Sequence, residues 1–269
     1  MLKLLRENSL NRHFPQSIRN IGYLLHPSIS RKLSSSPSIA DVGTGTGRFL
    51  CQLAESYPEA TLQGFDISSD LFPAPETLPS NVKLGFMDVK QPPPSEEHGR
   101  YDVVHVRLLV AAMNPEDWEV AVRYLSKLLK PGGALQWEEN DFTNVRYYRG
   151  GIDSPVAASQ FMSNLFRDAL FERFSHGWNT LPQIMEDAGL VGTEKDVVSS
   201  DRIAETRAVL AGNGMVALFG WARMMAGRGV PGSRKLDELK QLEGRAFDEI
   251  KSGCYVRYDV HIALAFKAE

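Results

Sequence analysis

The chain contains 269 residues, with a hydrophobic content of 43% and a formal net charge of -3 at pH 7. This length suits one large domain, or one domain with a substantial insertion, and the hydrophobic content excludes a disordered chain. The slightly acidic balance argues against nucleic acid as a partner, because nucleic-acid-binding domains are usually basic.

The first 40 residues are basic, and Glu7 is their single acid. We predict a helical lid over residues 1–36; a mitochondrial presequence, which is also basic and poor in acids, is the alternative. No apolar run approaches the roughly 20 residues that cross a bilayer, so no membrane partner is expected. Cys51 and Cys254 lie far apart and form no CxxC motif, which favours a reduced, cytoplasmic setting without disulfides or zinc.

Residues 37–141 alternate between strand and helix patterns, as in a parallel sheet built from βαβ units. Apolar runs predict five strands, at residues 38–42, 61–67, 82–87, 101–106 and 134–139. Helical spacing of apolar residues predicts helices at residues 48–56 and 116–129. A turn is predicted at Pro131-Gly132-Gly133. These elements indicate a doubly wound α/β sheet.

The pattern after residue 141 is mainly helical. Three helices are predicted there, over residues 155–188, 203–226 and 236–250. Two more strands are predicted, over residues 191–199 and 255–266. The predicted domain organisation is therefore the lid at residues 1–36 followed by an α/β domain at residues 37–269. Helical segments within that domain, at about residues 142–188 and 203–252, are predicted to cap the substrate.

The stretch from Ile39 to Phe49 is the most informative part of the chain, because a strand is followed by glycine at every second position and then by a helix. Glycine adopts positive φ and lacks a Cβ, so such a loop turns sharply and lets a ligand lie against it. Dinucleotide-binding folds use G-x-G-x-x-G and set a pyrophosphate on the helix N-terminus. Here the spacing is Gly43-x-Gly45-x-Gly47, and Asp41 precedes it. This acid suits a ligand with a cationic amino group and would repel a pyrophosphate.

Acidic residues at the ends of the next two strands specify the rest of the ligand. Ligands of doubly wound sheets bind at the carboxyl ends of the strands. Asp66 ends the second strand and suits the two hydroxyls of a ribose, because a carboxylate accepts several hydrogen bonds. Asp88 ends the third strand and suits an adenine amino group, with Ile67 and Val89 as apolar contacts. An amino acid end, a ribose and an adenine without a phosphate together describe S-adenosylmethionine.

Five segments in this order resemble the class I S-adenosylmethionine-dependent methyltransferases. They are residues 39–49, 64–68, 86–89, 101–107 and 128–139. The chain also resembles a fungal subgroup of this family, whose members are often tailoring enzymes of secondary metabolism. This narrower resemblance lies in residues 22–29, 104–108 and 135–139. The resemblance implies a Rossmann-like sheet of seven strands whose last strand, near residues 258–266, is antiparallel.

The resemblance also implies which residues bind the cofactor. The predicted cofactor-binding set is Tyr23, Asp41, Gly43, Thr44, Gly45, Gly47, Asp66, Ile67, Asp88, Val89, Val106 and Arg107. In this set the glycine loop lines the methionine part, and Asp41 orders that loop or contacts the cofactor through water. Asp66 takes the ribose and Asp88 takes the adenine. Tyr23 folds over the cofactor from the N-terminal segment.

The residues after the fourth strand argue against two substrate classes. Methyltransferases of nucleic-acid bases or glutamine carry Asn/Asp-Pro-Pro-aromatic there, whereas this chain has Val106-Arg107-Leu108-Leu109. Metal-dependent catechol methyltransferases carry an acid at the same place. Residues 138–141 offer oxygen ligands for Mg²⁺, but the favoured interpretation is a set of polar residues at the mouth of the fifth strand, so no metal is predicted.

Methyl transfer from a sulfonium depends on positioning and a dry pocket more than on acid–base machinery. The predicted catalytic residues are His176, Arg107 and Glu139. His176 would act as a general base, because a histidine titrates near working pH, and a surface histidine is the alternative. Arg107 would hold an anionic or carbonyl group of the substrate, or pair with Glu138 or Glu139. His105, inside the fourth strand, is expected to be buried with its hydrogen bonds satisfied.

We therefore predict a methyltransferase of a hydrophobic small molecule that works as a monomer or homodimer. Oxygen is placed slightly ahead of nitrogen or sulfur as the acceptor atom. Two rival functions stay open: a cyclase that binds the cofactor without transferring its methyl group, and a non-enzymatic binding protein on the same fold. The glycine spacing and Asp41 disfavour a dehydrogenase.

Overall fold

The structure is a computed structural model that describes residues 16–269. The chain divides into two compact units, each built from several segments. We call residues 22–140, 175–197 and 260–269 the sheet unit, and residues 16–21, 141–174 and 198–259 the helical unit. The first 15 residues of the predicted lid lie outside the described residues, and the lid and the substrate cap stay predictions.

Seven strands of the described chain form one sheet, in the order β3-β2-β1-β4-β5-β9-β7. They are β1 (Ser38–Val42), β2 (Thr61–Asp66), β3 (Val82–Phe86), β4 (Tyr101–Arg107), β5 (Leu129–Asn140), β7 (Leu190–Ser199) and β9 (Asp259–Lys267). Strands β1 to β5 pair in parallel, and β9 pairs antiparallel to β5. The predicted doubly wound, seven-stranded fold with an antiparallel last strand is confirmed.

The register of this sheet brings chemically active residues to one edge. Asp41 of β1 lies beside His105 of β4, and Arg107 at the end of β4 lies beside Glu138 of β5. The carboxyl ends of parallel strands meet at the same edge of a sheet, which is where ligands of this fold class bind. The pairing of β1, β4 and β5 therefore assembles a polar site from residues that are far apart in sequence.

Helices with one apolar face cover the sheet. The sheet unit contains α1 (Pro27–Ser30), α2 (Arg48–Ser56), α3 (Asp117–Leu128) and α6 (Leu181–Asp187). The buried residues of α2 are Phe49, Leu50, Leu53 and Ala54, whose spacing places them on one face of the helix. Trp118 of α3 is fully buried, and its ring centroid lies 5.2 Å from that of Trp137 of β5. These contacts fix the helices that flank the carboxyl edge of the sheet.

The helical unit contains its own small sheet and an aromatic cluster. Its elements are α4 (Ala157–Ala169), α5 (Phe171–Phe174), α7 (Arg207–Gly227), α8 (Leu236–Lys251) and the antiparallel pair β6 (Arg146–Tyr148) and β8 (Tyr255–Arg257). The ring of Phe166 lies 5.2 Å from Phe174 and 5.1 Å from Trp221. Glu249 of α8 is buried and accepts hydrogen bonds from Ala158 N and Ser159 N, both at 2.8 Å. This carboxylate satisfies two backbone donors at the start of α4.

The continuous helix predicted over residues 155–188 is wrong. The structure has three helices there, because Leu170 leaves helical geometry at φ -123° and ψ 20°. Gly177 then turns the chain at φ 88° before α6 begins. A Cβ on Gly177 would lie 2.3 Å from the Trp118 ring, so only glycine fits against that ring.

The single strand predicted over residues 255–266 is also wrong. It is divided into β8 and β9, which belong to different sheets. Between them Tyr258 donates its backbone N–H to Ser200 Oγ at 3.0 Å. On either side of this contact, β8 pairs with β6 and β9 pairs with β5. Strand β6, the partner of β8, was not predicted.

The helix that includes α7 is the most apolar of the described chain. The segment Ala204–Gly227 is long and apolar enough, by length and composition alone, to cross a bilayer. This corrects the prediction that no segment reaches that length. A single such helix is weak evidence for a membrane span, because core helices pass the same test. Met215 and Phe219 on this helix are fully buried, whereas Met224 is 44% exposed.

Candidate active site

The glycine loop, residues 43–47, joins β1 to α2. Gly43, Gly45 and Gly47 have φ values of 78°, 56° and 70°, a region that residues with a Cβ rarely adopt. The backbone N–H groups of Gly43 and Thr44 donate to Phe65 O of β2, at 2.8 and 2.9 Å. The alternate glycines therefore let the chain reverse while it stays bound to the neighbouring strand.

One side of the glycine loop faces open space. A Cβ on Gly45 would meet no atom within 4 Å, whereas a Cβ on Gly43 would lie 2.9 Å from Leu109 Cδ2. Thr44 Oγ1 is buried and has no hydrogen-bond partner within residues 16–269. A buried hydroxyl without a partner costs free energy. The loop thus leaves space for a ligand over Gly45.

Asp66 binds the loop directly from the end of β2. Its Oδ2 accepts from Gly45 N at 2.9 Å, and its Oδ1 accepts from Ser68 N at 3.1 Å. A carboxylate has about four acceptor positions, so two stay available for hydroxyl donors. Because the Gly45 N–H is already bound to an anion, the loop is a poor site for a pyrophosphate, whose charge Asp66 would repel.

Two exposed apolar side chains lie at the ends of the next strands. Ile67 is 60% exposed and Phe86 is 71% exposed. Asp88, which follows them, accepts from Lys90 N through Oδ1 at 2.9 Å. Sequence reasoning missed Phe86, although it lies two residues after Leu84 and so on the same face of β3. Leu84 Cδ2 lies 3.3 Å from where a Cβ on Gly47 would be, so this face of β3 adjoins the glycine loop.

Asp41 lies beneath the loop and binds His105. His105 Nδ1 lies 2.7 Å from Asp41 Oδ1, and its Nε2 lies 3.4 Å from Glu138 Oε1. The His105 ring is stacked on Phe49 of α2, with centroids 3.7 Å apart. All three polar residues are buried, and we call them the carboxylate–histidine cluster. The prediction that His105 is buried and satisfied is confirmed.

The hydrogen bonds and charges within this cluster oppose the effect of burial. Burial favours the neutral imidazole, but the hydrogen bonds and charges of Asp41 and Glu138 outweigh burial and raise the pKa of His105. Burial disfavours ionised Glu138, but the His105 hydrogen bond and the Arg107 charge outweigh burial and lower the pKa of Glu138. Arg107 Nε lies 3.8 Å from Glu138 Oε2. Asp41 and Glu138 thus favour the protonated form of His105, and Arg107 favours the ionised form of Glu138.

Gln136 connects this cluster to the N-terminal segment of the sheet unit. Its Nε2 donates to Glu138 Oε1 at 2.9 Å and to Leu24 O at 3.0 Å. Its Oε1 accepts from His26 N at 2.8 Å. Tyr23, predicted to fold over the cofactor, donates its hydroxyl to Asp196 Oδ2 at 2.8 Å. The position of Tyr23 is thereby fixed by β7, and its cofactor contact stays a prediction.

Glu139 is fully buried and accepts three hydrogen bonds. The donors are Leu109 N at 2.8 Å, Val110 N at 3.3 Å and Trp137 Nε1 at 2.8 Å. Burial raises the pKa of Glu139 to about 7, although these donors and the charge of Arg107 act in the opposite direction. The catalytic role predicted for Glu139 stays a prediction.

Two other predicted site residues lie in different surroundings. Val106 is fully buried within β4. His176 is half-buried between α5 and α6, next to the Gly177 that contacts Trp118. Within residues 16–269, no group of three or more histidine, cysteine, aspartate or glutamate side chains is arranged to hold a metal ion.

Sequence comparisons place this site within a known kind of domain. Residues 40–135 match the family model of a methyltransferase domain. Methyltransferase grgD of a Penicillium species is 44% identical over 126 residues, which cover 44% of this chain and 43% of that relative. N-methyltransferase tcpN of Claviceps purpurea is 28% identical over 280 residues, covering 92% of this chain and 94% of that relative. The match to the Penicillium protein thus spans less than half of its length.

Solved structures show the same fold at low sequence identity. Phosphoethanolamine N-methyltransferase 2 of Haemonchus contortus, solved with phosphomonomethylethanolamine and S-adenosylhomocysteine, is similar with a TM-score of 0.53 and 13% identity. The similarity covers 93% of this chain and 53% of that one. A chain from a Haloferax volcanii complex between a methyltransferase activator and a methyltransferase gives a TM-score of 0.57, 13% identity and coverage of 100% and 98%. In fold and sequence, this chain is similar to S-adenosylmethionine-dependent methyltransferases, among them fungal members of secondary metabolism.

Proposed function

We propose that the protein binds S-adenosylmethionine at the glycine loop and transfers its methyl group to a small molecule of secondary metabolism. The observation that carries this proposal is the geometry of the loop inside the matched residues 40–135. Asp66 binds Gly45 N, the Thr44 hydroxyl is buried without a partner in the described chain, and the space over Gly45 is open. These features suit a cationic ligand with hydroxyl groups and disfavour a pyrophosphate.

The residues of the glycine loop and of the neighbouring strand ends bind different parts of the cofactor. Asp66 accepts from the ribose hydroxyls through its remaining lone pairs. Asp88 accepts from the adenine amino group. Ile67 and Phe86 provide the exposed apolar surface that an adenine ring covers. The bound cofactor supplies an electrophilic methyl group, and the chain contributes binding, orientation and exclusion of water.

We infer that nitrogen is the acceptor atom, in place of the oxygen favoured from the sequence. The relative matched over 94% of its length is named an N-methyltransferase. A neutral amine attacks without losing a proton first, whereas a hydroxyl acceptor benefits from a general base. A general base such as His176 is therefore dispensable for a neutral amine and required for a hydroxyl. We expect the His176→Gln variant to keep its activity if the acceptor is an amine and to lose it if the acceptor is a hydroxyl.

Binding of S-adenosylmethionine, measured by isothermal titration calorimetry, tests the first step. Asp66→Asn removes a charged acceptor from the loop and the ribose, and we expect it to weaken binding by about 10- to 100-fold. Asp70→Asn is the matched control, because Asp70 is exposed and four residues further along the chain. We expect its affinity to stay within about twofold of wild type.

Product analysis by mass spectrometry tests the second step. Small-molecule amines and phenols incubated with protein and S-adenosylmethionine should yield a methylated product together with S-adenosylhomocysteine. Folded wild-type protein that does not bind the cofactor would contradict the proposal and favour a non-enzymatic binding protein. A rearranged product formed without S-adenosylhomocysteine would favour a cyclase.

A further inference from the structure

The chain leaves β4 through a strained backbone. We call Leu108–Val110 the β4 exit loop. Within residues 16–269, Leu108 is the one residue other than glycine with a positive φ, at 56°. A residue with a side chain disfavours this region because its Cβ crowds the backbone. Such a conformation persists only when surrounding contacts hold it, and it is common at functional sites.

The contacts that hold the β4 exit loop come from the end of β5. Leu108 N donates to Glu138 O at 3.0 Å, as a continuation of the strand pairing. The next two N–H groups have no strand partner and instead donate to the Glu139 carboxylate, from Leu109 N at 2.8 Å and from Val110 N at 3.3 Å. Trp137 Nε1 donates to the same carboxylate at 2.8 Å. At the point where the strands end, the Glu139 carboxylate thus accepts the backbone hydrogen bonds that a neighbouring strand would otherwise accept.

The loop that Glu139 holds forms one wall of the glycine loop. Leu109 Cδ2 lies 2.9 Å from where a Cβ on Gly43 would be. Leu109 O also accepts from Ala112 N at 2.8 Å and from Met113 N at 3.1 Å, which extends the ordered turn. A shift of the Leu109 backbone would therefore move an apolar side chain that is packed directly against the glycine loop.

We propose that Glu139 is a positioning residue, whose carboxylate holds the β4 exit loop so that Leu109 keeps the glycine loop in its cofactor-binding shape. The proposal rests on the cofactor binding proposed above. It assigns Glu139 no contact with the methyl acceptor, because the side chain is fully buried and its oxygens already accept from three donors. Its effect reaches the cofactor through Leu109 and Gly43.

The test compares two buried carboxylates that each hold two backbone N–H groups. Glu139→Gln replaces one acceptor oxygen of the β4 exit loop by a donor, and Glu249→Gln makes the same change at Ala158 N and Ser159 N in the helical unit. We expect both variants to lower the melting temperature. We expect only Glu139→Gln to weaken S-adenosylmethionine binding, by about tenfold in calorimetry. At saturating cofactor, the kcat of Glu139→Gln should stay near that of wild type, while the KM for cofactor rises.

Each outcome separates a structural role from the proposed one. Equal cofactor affinity of Glu139→Gln and wild type would overturn the inference and leave the proposed function intact, and so would an equal loss in Glu249→Gln. A loss of kcat without a loss of affinity would overturn it in favour of a catalytic base. Wild-type protein that binds no cofactor would overturn both proposals. If Glu139→Gln does not fold, the Leu109→Ala variant replaces it in the test, because it keeps the Glu139 carboxylate and removes the side chain that packs against the glycine loop. A tenfold loss of cofactor affinity in this variant supports the inference, and unchanged affinity overturns it.

Discussion

His105 is buried between two carboxyl groups that are distant in sequence. Asp41 precedes it by 64 residues and Glu138 follows it by 33. The sequence predicted burial of His105, because the residue lies inside an apolar strand. It did not predict these partners, because strand pairing alone brings β1, β4 and β5 together. Asp41, predicted to order the glycine loop, is in the structure bound to a histidine below that loop.

Replacing His105 by leucine should destabilise the protein strongly. The substitution leaves Asp41 and Glu138 buried without the imidazole that lies between them. A buried ion pair that loses one partner typically costs about 3–5 kcal/mol. The free energy of unfolding, measured with urea, checks this value. His98→Leu is the control, because His98 is exposed, and its cost should be within about 0.5 kcal/mol. A cost below about 1 kcal/mol for His105→Leu would show that the carboxylates become neutral by taking up protons.

The glycine loop depends on a close approach between three elements. Gly64 in the middle of β2 has no side chain, and Leu84 of β3 and Thr44 of the loop occupy the space beside it. A Cβ on Gly64 would lie 2.5 Å from Leu84 Cδ2 and 2.9 Å from both Thr44 Oγ1 and Thr44 Cγ2. The alternate glycines of the loop could be predicted from sequence, because their spacing is local. The need for Gly64 could not, because it comes from the packing of β2 against two other elements.

Gly64→Ala should therefore damage both stability and the loop. Leu84 can turn its methyl group away, but Thr44 is stiff at χ1, so we expect a cost of about 1–3 kcal/mol from overpacking. Gly244→Ala is the matched control, since Gly244 is exposed within α8 and its Cβ would meet no atom within 4 Å. This control should stabilise the helix by about 0.5–1 kcal/mol. Urea unfolding measures both values, and a neutral Gly64→Ala variant would show that Thr44 moves freely.

Across the whole molecule, sequence reasoning succeeded where structure is local and repeated. Strand β1 and helix α2 have the predicted bounds, and the other elements before residue 141 begin or end within a few residues of theirs. The turn predicted at residues 131–133 became a register shift inside β5, which pairs Tyr101 with Leu129 and Val103 with Ala134. After residue 141 the predicted helix failed at Leu170 and again at Gly177. The Trp118 ring that requires this glycine lies 59 positions earlier in the chain. Sequence reasoning missed Phe86 because the alternation of a strand shows which residues share a face. It does not show which of those residues the other elements leave exposed.

Glu139 makes the stability of the whole protein depend on pH. Burial raises its pKa from an ordinary value of 4.5 to about 7 in the folded protein. Between these two values the folded state keeps a proton that the unfolded chain has released. The free energy of unfolding therefore falls as the pH rises through this window and levels off above it. At roughly 1.4 kcal/mol for each pH unit, the loss amounts to about 3 kcal/mol.

The contribution of Glu139 is isolated by urea unfolding of wild type and Glu139→Gln, measured at about ten pH values between pH 4 and pH 8. The difference in free energy of unfolding between the two proteins should fall by about 3 kcal/mol as the pH rises, because glutamine has no proton to lose. His105 and Glu138 are present in both proteins, so their own titrations largely cancel in the difference. A flat difference would show that Glu139 titrates as it does in the unfolded chain. A difference that rises with pH would show that Leu109 N, Val110 N and Trp137 Nε1 outweigh burial and keep the carboxylate ionised in the folded protein.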